Sequence, residues 1–110
     1  MNDKEMEQQI VDKGLTAPRV TLDNLNQAIK DIEIVKFITK GNKVLRWAVL
    51  TMKNGFAVVG NPSASVSPEN DNEELGEQIA IENSRSKVWE LEGYALAERL
   101  MVDSQCVKGE

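Results

Sequence analysis

Arg46 is the residue whose position most clearly requires a chemical partner. It lies between apolar residues in Val44–Met52, a run whose β-branched and aromatic composition predicts a strand. A guanidinium buried in such a strand needs an anion, because an unpaired buried charge is costly. Two partners fit, a carboxylate of a second subunit or the phosphate of a ligand. The sequence leaves both open.

Side chains that support catalysis are scarce. The chain has 110 residues, no His and one Cys, Cys106. The composition therefore removes His-dependent triads and disfavours a thiol nucleophile or a zinc site. The acidic run 71–74 lacks the glycine and the ligand spacing of a calcium loop. We therefore expect a protein that is not an enzyme and that has no metal and no cofactor.

A ligand held by Arg46 would need further contacts. Phe56 lies at the tip of a predicted hairpin, where it is either a core residue or a surface on which a base could stack. Ser67 and Asn70 lie where the last helix is expected to open, and free N–H groups at a helix start bind phosphate. The acidic first turn would repel a phosphate unless arginines of a partner chain outweigh it. The predicted ligand-binding residues are Arg46, Phe56, Ser67, Asn70, Arg85 and Arg99.

The clearest structural signal is Asn54-Gly55, which separates two apolar runs. Asn-Gly favours a two-residue type I′ turn, because both of its positions need positive φ. In that register Lys53 faces Phe56, and Val58 lies on the face opposite Arg46. The sequence therefore predicts a tight hairpin with a defined register.

A second turn, at Gly41-Asn42, joins a strand over residues 34–39 to the same central strand. If this turn has two residues, Phe37 faces Arg46 in a cation–π contact worth about 1 kcal/mol. Lys36 then lies on the other face. We therefore expect no single basic patch within one chain.

Both faces of this three-stranded sheet are apolar, whereas a solvated antiparallel sheet usually has one polar face. One face can pack against the chain's own helices. The other needs a second cover, and a second copy of the chain is the simplest source. We therefore expect a homo-oligomer, a dimer or larger.

Helical signals flank the sheet. Residues 3–13 predict a short helix ended by Gly14, and Thr21 caps a helix that continues to about Ile32. Ser67 and Pro68 open a segment that is helical to about residue 102. Its apolar stripes lose phase between residues 79 and 88, which indicates either a kink or two helices.

These signals define an α+β fold. It is a three-stranded antiparallel meander with N-terminal helices and a long C-terminal helical segment. The predicted division is 1–20 as N-terminal helix and connector, 21–103 as a single domain and 104–110 as a frayed tail.

The charge distribution restricts the partners. The net charge of −5 disfavours nucleic-acid binding, and no apolar run is long enough to cross a membrane. The start of the sequence is polar, unlike a signal peptide, so we expect a cytoplasmic protein. Residues 34–53 carry five basic and no acidic side chains, and residues 69–77 carry five acidic and no basic ones. Both runs are also typical of ordinary solvated surfaces.

Four segments resemble one known family: Leu-Thr-Ala-Pro-Arg-Val-Thr at 15–21, Val-Leu-Thr-Met-Lys-Asn-Gly-Phe at 49–56, Ser-Pro-Glu-Asn at 67–70 and Lys-Val-Trp-Glu-Leu-Glu-Gly-Tyr at 87–94. The family consists of small accessory proteins encoded by tailed phages and prophages, and the resemblance covers about residues 6–101. Two positions depart from its pattern. Asp71 stands where members commonly have an aromatic residue, and Glu90 stands where many have Pro.

Some proteins of this class are similar to anti-Thoeris proteins, which bind and sequester cyclic nucleotide immune signals. The resemblance implies a non-enzymatic phage protein that acts in counter-defence in the host cytoplasm by sequestering a small anionic nucleotide. The alternative is a phage protein that binds and modulates a host protein through its acidic helical surface.

Overall fold

The computed structural model describes residues 3–12, 17–65 and 67–108. The elements are α1 (Asp3–Asp12), α2 (Leu22–Ala28), β1 (Ile29–Ile38), β2 (Val44–Met52), β3 (Ala57–Val59), β4 (Ser63–Ala64), a 3-10 turn (Pro68–Asn70) and α3 (Glu73–Lys108). The predicted α+β class is confirmed. Gly14 and the start of the predicted connector lie outside the described residues.

The chain forms two compact units, one of Met1–Gln27 with Trp89–Glu110 and one of Ala28–Val88. In the first unit, Thr21 and Asn24 exchange hydrogen bonds between their side chains and backbone N–H groups. This reciprocal pair confirms Thr21 as the cap of α2. The carboxylate of Glu7 accepts a hydrogen bond from the Leu22 N–H and pairs with Arg19. These contacts lower the pKa of Glu7.

The second unit is built on β2. β1 pairs antiparallel with one edge of β2, and β3 and β4 pair antiparallel with the other. β1 has ten residues, with a register shift between Ile29 and Asp31. α2 ends at Ala28, before the predicted end at Ile32, because the β-branched residues that follow pair with β2 as a strand.

The hairpin between β2 and β3 has a three-residue loop, so the predicted two-residue turn is wrong. Met52 N–H donates to Phe56 O at 2.8 Å, and Gly55 N–H donates to Met52 O at 2.9 Å. Only Gly55 of the loop has positive φ, at 89°. Asn54 instead uses its side-chain oxygen to accept a hydrogen bond from the Phe56 N–H. A turn followed by a glycine in the left-handed conformation has three loop residues. The pairing of β3 with β2 is therefore shifted by one residue from the predicted register.

The hairpin between β1 and β2 has the same type of loop. Thr39 N–H donates to Lys43 O at 2.9 Å, and Asn42 supplies the positive φ, at 60°. Lys36 therefore pairs with Arg46, whereas Phe37 pairs with Leu45. The predicted cation–π contact is wrong, because a shift of one residue moves Phe37 to the other face of the sheet. Lys36 and Arg46 share a face.

α3 begins later and ends later than predicted. Ser67 precedes the 3-10 turn, which begins at Pro68. Asn72 caps α3 by accepting a hydrogen bond from the Leu75 N–H. The helix continues without interruption to Lys108, beyond the predicted end near residue 102. The alternative with two separate helices is therefore wrong.

The inner face of the sheet, which carries Arg46, packs against the first half of α3. Ser84 Oγ donates to Ala48 O at 2.6 Å and accepts from Gly60 N–H at 2.9 Å. Gly60 must be glycine, since a Cβ there would lie 2.4 Å from Asn83 O. The described side chains buried in this layer are Val44, Arg46, Ala48, Leu50, Met52, Val58, Ser63, Ala80, Ser84 and Val88.

The outer face of the sheet carries apolar side chains on β1 and β3 that are about half exposed. Its side chains Val35, Phe37 and Val59 are 48%, 56% and 48% exposed. Val58 was predicted here, but it pairs with Leu50 and is buried on the inner face. The three-residue loop shifts the register of β3 by one residue, and this shift moves Val58 from the outer face to the inner face. The second copy of the chain that was expected to cover this face stays a prediction.

Candidate functional site

The sheet register aligns three polar residues across the inner face. Lys36 of β1 pairs with Arg46 of β2, and Arg46 pairs with Ser63 of β4. Cross-strand partners project to the same side of a sheet. The inner face therefore presents a basic pair and a hydroxyl in one row, next to the start of α3.

The anion that pairs with Arg46 is a carboxylate of the same chain, Asp71. Arg46 Nη1 donates to Asp71 Oδ1 at 2.6 Å, and Arg46 Nη2 donates to Asp71 Oδ2 at 2.8 Å. Arg46 is only 3% exposed, so this two-bond pair neutralises a buried guanidinium. Neither predicted partner, a second subunit or a ligand phosphate, is required. Because α3 begins at Glu73, Asp71 lies in the preceding loop and can reach Arg46.

Each partner stabilises the charged form of the other. The hydrogen bonds from Arg46 lower the pKa of Asp71, and the nearby charge of Lys36 adds to this effect. The hydrogen bond to Asp71 likewise raises the pKa of Arg46, with smaller contributions from Glu73 and Glu77. Both groups therefore remain ionised at neutral pH.

Gly76 allows the guanidinium to lie against the first turn of α3. A Cβ at this position would lie 2.8 Å from Arg46 Nη1 and 3.5 Å from Ser63 Oγ. The guanidinium is fixed by two hydrogen bonds and cannot easily move away. Gly76 is therefore part of the site, because it provides the space that Arg46 occupies.

A cleft of about 100 Å³ lies beside this ion pair. Ser63 Oγ and Ser65 Oγ are buried and have no hydrogen-bond partner among the described residues. Hydroxyls in such positions are normally satisfied, so these two are open to a polar ligand or to water. The lining residues are Arg46, Ser63, Ala64, Ser65, Asn70, Asp71, Asn72, Leu75, Gly76 and Ile79.

The structure brings only part of the predicted site together. Arg46 and Asn70 line the cleft. Ser67 does not line the cleft. Its carbonyl accepts a hydrogen bond from the N–H of Asn70, which does. Arg85 lies further along α3, with its Nε 4.0 Å from Glu82 Oε1. Phe56 is exposed beside the β2–β3 loop, outside the cleft lining, and Arg99 belongs to the other unit.

Sequence reasoning missed eight of the ten lining residues, and four of these adjoin or form the ion pair: Ser63, Ser65, Asp71 and Gly76. Asp71 carried a usable signal, because it departs from the pattern of the resembled family next to Asn70. Ser63 and Ser65 alternate as a strand would, but they lie in a stretch that was interpreted as loop. Gly76 carried no signal that separates it from an ordinary helical glycine.

Two kinds of site are absent from the described residues. No group of three or more His, Cys, Asp or Glu side chains in residues 3–12, 17–65 and 67–108 could hold a metal ion. In the same ranges, no helix combines the length and the apolarity needed to cross a bilayer.

Comparison with known proteins identifies the chain at the level of family. No curated protein and no solved structure matches it. Residues 20–100 match the Phage protein (N4 Gp49/phage Sf6 gene 66) family, a span that includes the sheet, the cleft and most of α3. The match covers well over half of the 110 residues. The chain therefore belongs to the Phage protein (N4 Gp49/phage Sf6 gene 66) family.

Proposed function

We propose that this phage protein acts by binding a small nucleotide in the cleft beside Arg46, without catalysis. The observation that carries the proposal is the pair of buried, unpartnered hydroxyls of Ser63 and Ser65 next to the fixed Arg46–Asp71 pair. Rigid polar groups in a concave site orient a ligand. The cleft therefore has the character of a recognition site.

The side chains among the described residues that line the cleft favour binding without catalysis. The chain has no histidine. Asp71, the carboxylate that lines the cleft, has both oxygens engaged by Arg46, which lowers its pKa. A carboxylate with a lowered pKa is a poor general base at neutral pH. These groups are therefore better suited to holding a ligand than to moving its protons.

The biological role that we propose is counter-defence by sequestration of a nucleotide immune signal in the host cytoplasm. The resemblance to signal-sequestering phage proteins supports this role. Membership of a phage family is consistent with it. A sequestering protein needs affinity and abundance rather than turnover, and a small binding domain is sufficient for that.

We further propose that the protein is a homo-oligomer, assembled through the outer face of the sheet. Val35, Phe37 and Val59 are about half exposed there, beside the partly buried Leu45 and Trp47. An apolar surface of this kind on a soluble protein usually marks an interface. The cleft lies on the inner face, so assembly would leave it accessible.

Calorimetric titration with a panel of linear and cyclic nucleotides tests the ligand proposal. At least one nucleotide should bind the parent protein, and Ser63→Ala should weaken its affinity. Ser86→Ala is the control, since Ser86 is exposed on α3 and bonds only to Glu82 O among the contacts described. Arg46→Ala is less informative, because it leaves Asp71 unpaired and disturbs the fold. A panel with no binder would reject the proposal.

A second candidate is binding to a host protein through α3, and one observation favours it. Leu75 and Ile79 are 54% and 43% exposed, and they border a shallow groove that also includes Glu82. Glu73 and Glu74 are exposed at the start of the same helix. An apolar strip with an acidic border fits a partner with an apolar and basic surface. Charge reversal at Glu74 should weaken such a complex and leave nucleotide binding unchanged.

A further inference from the structure

We infer that the cleft beside Arg46 holds the ribose diol of the ligand, not its phosphate. This inference rests on the nucleotide binding proposed above. A ribose diol is a neutral group with two adjacent hydroxyls. Each hydroxyl can donate one hydrogen bond and accept others. The inference depends on the donors and acceptors that the cleft offers, on its charge and on its size.

The polar groups of the cleft match a diol. Ser63 Oγ and Ser65 Oγ lack partners among the described residues, and each can donate to a ligand oxygen. Asp71 accepts one hydrogen bond from Arg46 at each carboxylate oxygen, so each oxygen retains capacity for another. A ligand hydroxyl can therefore accept from a serine and donate to Asp71. A phosphate dianion has only acceptors and cannot donate to Asp71.

The charges near the cleft disfavour an anion. Arg46 is neutralised by Asp71, and Glu73 and Glu77 lie close enough to act on the guanidinium. Lys36 is the other cation of this row and is close enough to lower the pKa of Asp71. A phosphate inside the cleft would lie beside the carboxylate of Asp71, with the charges of Glu73 and Glu77 nearby, and these would repel it. A neutral sugar would not be repelled. Lys36 is exposed, so it can contact a phosphate that remains outside.

The cleft has room for such a group. Its volume of about 100 Å³ is well above the 10–15 Å³ that a single water needs. Ser63 is only 6% exposed, so its hydroxyl is already desolvated. A buried, unpaired hydroxyl gains more from a ligand hydrogen bond than an exposed one, which must first release water.

The test takes the tightest binder of the nucleotide panel that has both ribose hydroxyls free and compares it with its 2′-deoxy counterpart by calorimetry. The 2′-deoxy form should bind at least tenfold more weakly to the parent protein. Asp71→Asn and Ser63→Ala should each reduce that discrimination, whereas Ser86→Ala should leave it unchanged. Circular dichroism and thermal melting of each variant establish that it is folded. Inorganic phosphate at millimolar concentration should not compete with the nucleotide.

The possible outcomes separate this inference from the function on which it rests. Equal binding of the ribo and 2′-deoxy forms, or competition by inorganic phosphate, would overturn the diol site and leave nucleotide binding in place. A panel in which no nucleotide binds would overturn both. If Ser63→Ala is folded but binds the ribo and 2′-deoxy forms with similar affinity, the inference is supported.

Discussion

Arg46 shows how a charged residue can occupy the middle of a buried strand face. The two hydrogen bonds to Asp71 replace the water that the guanidinium loses on burial. The absence of a Cβ at Gly76 provides the space for that arrangement. The ion pair, not a ligand, accounts for the charge of Arg46. The ligand proposal therefore depends on the serines beside it.

The Arg46–Asp71 pair should make the protein sensitive to acid. Because the pKa of Asp71 is lowered in the folded state, the pair contributes its full stability above the ordinary carboxyl pKa of about 3.9. That contribution is lost as the pH falls through the lowered value. The difference in melting temperature between the parent and Asp71→Asn should be large at pH 7 and should shrink below about pH 4. Thermal melts across this range provide the measurement.

A difference that stayed constant from pH 7 to pH 3 would contradict this assignment. Asp71→Asn also removes the anion beside a buried guanidinium, and that cost persists at neutral pH. The assignment is therefore tested by how the difference in melting temperature changes with pH, and not by its size at one pH.

The two hairpins determine which residues share the inner face. Each has a three-residue loop that ends in a left-handed residue, Asn42 in one and Gly55 in the other. The predicted two-residue loops place Lys36 and Val58 on the wrong face. With the observed loops, Lys36 joins Arg46, and Val58 joins the buried core. A single residue of loop length therefore decides the composition of the site.

Gly55→Val should destabilise the β2–β3 hairpin by roughly 1–3 kcal/mol, because a β-branched residue is strained at the φ of 89° found there. Asn54→Ala should cost less. It removes the side-chain hydrogen bond to the Phe56 N–H in an exposed loop but requires no change of backbone. Urea denaturation of both variants measures the two costs. A Gly55→Val protein as stable as the parent would contradict the observed turn.

The sequence predicts the elements of this fold better than their details. The periodicity of α3 and the β-branched runs of β1 and β2 are strong local signals, and they give the α+β class. Loop length is a weaker signal, because Asn-Gly fits both a two-residue turn and a turn with a glycine at its last position. The start of α3 is predicted too early for a similar reason, since Ser67 and Asn72 are both good capping residues.

The cleft depends on contacts between residues far apart in sequence, and local patterns carry little information on these. Arg46 and Asp71 are separated by 25 positions, and their pairing requires α3 to start at Glu73. Ser63 reaches Arg46 only because β4 pairs with the part of β2 beyond β3. The need of Arg46 for an anion could be predicted, but the identity of that anion could not.

At the scale of the whole molecule, the open outer face of the sheet is the basis of the proposed assembly. Phe37 and Ile38 provide a matched pair, since they are adjacent in β1, are 56% and 55% exposed and lie on opposite faces. Phe37→Asp should reduce the oligomer to a 12.2 kDa monomer, because it places a charge in the proposed interface. Ile38→Asp should leave the oligomer intact. Light scattering at micromolar concentration distinguishes the two.

A parent protein that is monomeric at micromolar concentration would contradict the proposed assembly. Dissociation by both substitutions would indicate instead that copies pair through β1, which is an edge strand of ten residues. The domain bounds 1–20, 21–103 and 104–110 stay a prediction. Limited proteolysis of the same samples would locate the boundaries.

Native mass spectrometry of protein taken directly from cells with an active nucleotide-signalling defence tests the central claim most directly. The proposal predicts a homo-oligomer that retains a small molecule with the mass of a nucleotide. Ser65→Leu, which places an apolar side chain in the cleft, should lose that molecule, and Ser86→Leu should keep it. Protein that carries no small molecule, or one that survives Ser65→Leu unchanged, would contradict nucleotide binding in this cleft.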